Sequence, residues 1–106
     1  VSQYRRIDPK TVPGIAARLK LLRIAMCGDE TGAQAEFCRQ TDVSPANWCM
    51  WENGRGGARI GLDSALKLVE RWNVTLDWLY LGEDYGVSKE TWAEIQKVGK
   101  RARKRA

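Results

Sequence analysis

The chain has 106 residues of uniform compositional texture, enough for one domain and a tail, which excludes a second full domain. Its 43% hydrophobic and 29% charged content, with five Trp and no long apolar run, excludes a membrane span and a wholly disordered chain and predicts a soluble globular protein. The net charge of +5 is unevenly placed: residues 1–86 hold eleven Lys/Arg and eleven Asp/Glu, whereas residues 87–106 hold seven and two, so the excess sits at the end and favours a polyanionic partner.

After an arm over residues 1–12, Pro13 fits the first turn of a helix, and Ile15, Leu19, Leu22 and Met26 recur at helical spacing, predicting helix one over 13–27. Gly28 to Gly32 is a polar break, and Ala33 to Gln40 then offers Ala35, Phe37 and Cys38 as the stripe of a short second helix. Ser44 as N-cap, Pro45 at the first position and Gly54 as stop predict helix three over 45–53. Arg55 to Gly61 is too glycine-rich for an element interior and reads as a surface loop. Leu62, Ala65, Leu66, Val69 and Trp72 predict a helix over 62–72 with that stripe inward, and Thr75 caps another over Leu76 to Leu81. Ser88 opens a sixth helix carrying Trp92, Ile95 and Val98, whose far end Gly99 and the basic run weaken. No segment predicts a strand.

Cys27, Cys38 and Cys49 are odd in number and lack CxxC spacing, and the chain has no His, so neither a metal site nor the commonest general base is expected. No phosphate loop or nucleophile turn is present, and the chain reads as a non-enzyme without a cofactor. The polar opening Ser2 to Arg6 supplies no apolar signal stretch, which with unpaired thiols points to the cytoplasm.

The informative block is Gln34 to Gly54, QAEFCRQTDVSPANWCMWENG, two short helices about a tight turn. Gln34-Ala35-Glu36 opening the second helix, Val43 in the turn, Trp48, and Trp51-Glu52-Asn53-Gly54 closing the third resemble the lambdoid repressor and Cro family of bacterial and phage regulators. Asn73 to Leu79 resembles that family's last helix and Arg18 to Arg23 its first, so the likeness covers roughly residues 14–82. It implies an all-α, compact five-helix helix-turn-helix domain over 13–82, to which residues 83–106 add a C-terminal basic helix or tail. In that family the third helix enters the major groove of double-stranded DNA.

At 100° per residue, Trp48, Trp51 and Glu52 share the inner side of helix three, while Ala46, Asn47, Met50 and Asn53 face outward with Pro45 at the margin. An interior Glu52 needs a partner; Arg23 is the candidate, and the resemblance implies the same structural ion pair. The expected base-contacting residues are Pro45, Ala46, Asn47 and Met50, where the family commonly places longer polar side chains. Gln34, Asn53, Arg55 and Arg59 are the expected phosphate contacts, and Lys97, Lys100, Arg101, Arg103, Lys104 and Arg105 form a non-specific basic tail.

The expected function is sequence-specific transcriptional regulation, as a repressor, by a homodimer paired through Leu79, Tyr80 and Leu81 or through the Trp92 and Ile95 stripe. The alternative is a protein-interaction module on the same fold, using an apolar helix-three face or the C-terminal helix. A thiol sensor at Cys49 is a third, lesser reading, since nothing nearby favours a thiolate.

Overall fold

The computed structural model describes residues 11–105, with side chains to Arg101. Residues 1–10 of the expected arm and the side chains of Arg103, Lys104 and Arg105 lie outside the described part. The elements are α1 (Val12–Cys27), α2 (Ala33–Thr41), α3 (Pro45–Asn53), a 3-10 turn (Arg55–Gly57), α4 (Leu62–Trp72), α5 (Leu76–Leu81) and α6 (Lys89–Arg105), and no strand occurs among the described residues.

Four of the six helices start on a side chain that accepts an otherwise orphaned N–H. Thr11 Oγ1 caps α1 through Gly14 N–H at 3.4 Å, Ser44 Oγ caps α3 through Asn47 N–H at 3.3 Å, Thr75 Oγ1 caps α5 through Trp78 N–H at 3.0 Å, and Ser88 Oγ serves α6 through Thr91 N–H at 3.2 Å. Only α2 and α4 begin on a glycine, with no side-chain cap. Asp42 and Asn73 end α2 and α4 in the left-handed region, Asn being among the few side chains that tolerate it.

The core joins Ile15, Leu19 and Leu22 of α1 to Phe37, Trp48, Leu68, Trp72, Trp78, Leu79 and Ile95. Phe37 is its hub: it stacks on Trp72 with centroids 5.3 Å apart and meets Trp48 at 4.8 Å, so α2, α3 and α4 share one aromatic contact.

Two apolar stripes differ from expectation. In α2, Ala35 is exposed and Ala33 is buried in its stead, together with Phe37, Cys38 and Thr41. In α4 the inward direction is set by Ala65, Leu68 and Trp72, which leaves Leu62 56% and Leu66 43% exposed. Those two leucines stand roughly 90–130° from that direction at 100° per residue. Trp51 is half-buried, held edge-on to Trp48 with centroids 6.4 Å apart.

The largest difference concerns the C-terminal segment. Helix α6 continues through Gly99 to Arg105, buries Thr91, Ile95 and Val98, and makes the most extensive contact that α1 has with any helix. Its start is tied to the end of α4, where Thr91 Oγ1 donates to Trp72 O at 2.8 Å and Ser88 N–H to Asn73 O at 3.2 Å. Helix α6 therefore starts at the end of α4 and packs along α1. Tertiary burial outweighs the helix-weakening effect of Gly99.

Candidate nucleic-acid interface

Helix α3 is nine residues long and presents two different faces. Trp48 is fully buried, and the Glu52 side chain is 7% exposed beneath the helix. Pro45, Ala46, Asn47, Met50 and Asn53 form the exposed face, with Met50 at 41%. The exposed face combines one amide able to donate and accept at once, Asn47, with apolar Ala46 and Met50.

The inner face is fixed by charge as well as by packing. Arg23 Nε donates to Glu52 Oε1 at 2.6 Å, with side chains 9% and 7% exposed. Arg23 Nη1 also donates to Gly28 O at 3.4 Å, so one guanidinium joins α1, the α1–α2 loop and the end of α3. Trp48 Nε1 is buried without a hydrogen-bond partner among the described residues. Its indole faces two other rings, so packing alone holds it.

Gly54 stops α3 at φ 63°, and its backbone runs so close to α1 that a Cβ there would come within 3.1 Å of Val12 Cγ1. Glycine is needed on both counts. The chain then turns through Arg55–Gly57, within the segment expected as a plain loop, and leaves Arg55 and Arg59 exposed. Neither forms an ion pair with any described residue, in contrast to Arg23, Arg39, Lys67 and Lys97.

Gln34 is the half-buried second residue of α2, and the first-turn N–H groups of Gln34 and Ala35 have no protein acceptor among the described residues. Asn53 turns back on its own helix: Nδ2 donates to Cys49 O at 2.7 Å and to Cys49 Sγ at 3.5 Å. Both donations stay within the helix, so an outside acceptor competes with them for the amide hydrogens. Arg39, between Gln34 and the turn, forks onto both oxygens of Glu36, and this bond with that from Gln40 holds the Glu36 carboxyl below its usual range.

Several other cations are engaged internally. Lys67 Nζ donates to Asp42 O at 2.7 Å, while Arg71 donates to Gln40 Oε1 at 2.6 Å and lies 4.1 Å over the Trp72 ring. On α6, Lys97 pairs with Glu94 at 3.1 Å, whereas Lys100 and Arg101 are exposed without an acidic partner among the described residues.

Of the expected pairing surfaces, Leu79 and Ile95 are 0% and 3% exposed, and Tyr80 donates its hydroxyl to Ile60 O at 2.8 Å. Those residues are occupied within the chain, and Leu81 at 41% is the exposed member of the set. The exposed pair Leu62 and Leu66 was missed because the sequence stripe omitted Leu68, whose spacing of three from Ala65 and four to Trp72 marks the true inner face.

No described helix is long and apolar enough to cross a membrane, and no cluster of candidate metal ligands occurs among the described residues. Burial pushes the Cys38 thiol up to about 11, with Glu52 adding to the shift. Comparison with protein-family models, with curated proteins and with solved structures finds no match to this chain.

Proposed function

We propose that the chain is a sequence-specific double-stranded DNA-binding regulator, a transcriptional repressor with a repressor-like helix-turn-helix, that reads the major groove with α3. The observation that carries this reading is the division of α3 into a pinned face and an open one. Trp48 and the Arg23–Glu52 pair fix its position, and Pro45, Ala46, Asn47 and Met50 are left on the surface. A short helix held so rigidly can present side chains to base edges without ordering them on binding.

Asn47 takes adenine N6 and N7 as a bidentate pair, and Ala46 and Met50 meet thymine methyls. Arg55 and Arg59 contact phosphates, assisted by Asn53 and by the amino end of α2 at Gln34. With one polar base-reading side chain per module, a homodimer on two half-sites supplies the remaining discrimination. The exposed Leu62, Leu66 and Leu81 are the apolar side chains available for pairing. The reaction class is binding alone, without a cofactor.

Competition anisotropy against selected and random duplexes tests this. The wild type is expected to form a complex that resists random competitor; Asn47→Ala keeps binding but loses preference, and Arg59→Ala weakens all sequences. The exposure of Met50 favours a second reading, docking of another protein on the apolar part of the α3 face. A chain that shows no competitor-resistant DNA complex would support it.

A further inference from the structure

The chain holds three asparagines, Asn47, Asn53 and Asn73, followed by Trp48, Gly54 and Val74. The side-chain carbonyl carbon of an asparagine is open to attack by the main-chain nitrogen of the next residue, and a side chain on that residue obstructs the approach. Glycine has none, so Asn53 faces the least obstructed nitrogen of the three. The fold cannot shed this pair. Gly54 stops α3 at φ 63°, and a Cβ there would come within 3.1 Å of Val12 Cγ1. The same geometry holds the reacting groups apart. Asn53 is the last residue of α3, where a helical backbone directs the side chain back toward the preceding turn and away from the following nitrogen. Its Nδ2 donates to Cys49 O at 2.7 Å, and Gly54 N–H donates to Trp51 O at 3.3 Å.

We propose that exposed Asn53 is a spontaneous modification site, locked while the last turn of α3 is closed and released when that turn frays. Gly54 N loses its proton to hydroxide and bonds to Asn53 Cγ; the Cγ–Nδ2 bond breaks, and the amide nitrogen takes a proton from water and leaves as ammonia. Water then opens the ring at Cγ to give aspartate, or at the main-chain carbonyl carbon to give isoaspartate. Either product sets a carboxylate two residues from exposed Arg55. The consequence rests on the DNA-binding reading: the new charge repels the phosphates that Arg55 meets, so conversion weakens binding. The end of α3 thereby limits how long the site lasts.

The test incubates the intact chain at mildly alkaline pH, folded and in urea, and follows each asparagine by tandem mass spectrometry. In urea, Asn53 is expected to convert before Asn47 and Asn73. In the folded chain it is expected to convert at least about tenfold more slowly, since only the frayed fraction reacts, and urea below the unfolding transition should raise that rate. Equal rates in the folded and unfolded chain would overturn the lock, and an Asn53 no faster than Asn47 in urea would overturn the site. Neither readout involves DNA. For the consequence, Asn53→Asp is expected to flatten the salt dependence of duplex affinity by about one phosphate contact, a slope of about 0.9. Wild-type affinity and slope in that variant would overturn the link to binding. Absence of any duplex binding by the wild type would overturn the DNA-binding reading and with it this consequence, while the mass measurement still decides the modification site.

Discussion

The Arg23–Glu52 pair shows how a single residue carries the candidate site. With both side chains less than a tenth exposed, removing one strands the other. Glu52→Ala is expected to cost roughly 3–5 kcal/mol in urea or thermal unfolding, and an unchanged transition would deny the pair its structural role. Asn47→Ala should leave unfolding unchanged, because its side chain is exposed, while discrimination at one base pair falls by about 1–3 kcal/mol. Cys38 gives a pH test. Its folded thiol titrates at about 11 against an ordinary value near 9.0, so the folded state holds a proton that the unfolded chain has lost. The stability from burying the neutral thiol is complete below about pH 9 and is lost as pH rises toward 11. Stability is expected to fall across that window, less so in Cys38→Ala; identical profiles would contradict this. The inward direction of Glu52 was legible from helical spacing. The backward turn of Asn53 onto Cys49 was not, because a local bond between an amide and its own helix leaves no periodic trace.

At the scale of elements, helix starts were legible because they rest on local chemistry: Ser44, Thr75 and Ser88 each cap the helix expected after them. Local pattern misplaced the α4 stripe and weakened the end of α6, because both depend on partners distant in sequence. Leu62 and Leu66 fit an apolar repeat, but Trp72 stacking on Phe37 fixes which way α4 faces. Gly99 is a poor helix residue, yet α6 packs on α1 and buries Ile95 and Val98 in the turn before it. Ile95→Ala is therefore expected to destabilise the whole chain by about 2–5 kcal/mol in chemical denaturation, the range for a buried aliphatic truncation. A value near zero would show that α6 is dispensable to the core. The same packing changes how the basic end should be tested, since deleting residues 97–106 removes buried Val98 together with six cations and would mix stability with electrostatics. Replacing exposed Lys100 and Arg101 separates the two.

Across the whole molecule, the exposed cations without an acidic partner among the described residues include Arg55 and Arg59 after α3, Lys100 and Arg101 on α6, and Lys20 and Lys89. The all-helical architecture was legible from periodicity, whereas the packing of α6 along α1 was not, because it joins residues distant in sequence. Asn47 is exposed on α3, and Arg55 and Arg59 are exposed just after it; the central claim is that this stretch of surface lies against the major groove of DNA. Selection of bound duplexes from a random pool tests it most directly. The account predicts an enriched site with two inverted halves about one helical turn apart, carrying an adenine preference in each half that Asn47→Ala abolishes. A pool that stays random after repeated selection, or an enriched site indifferent to Asn47→Ala, would contradict it.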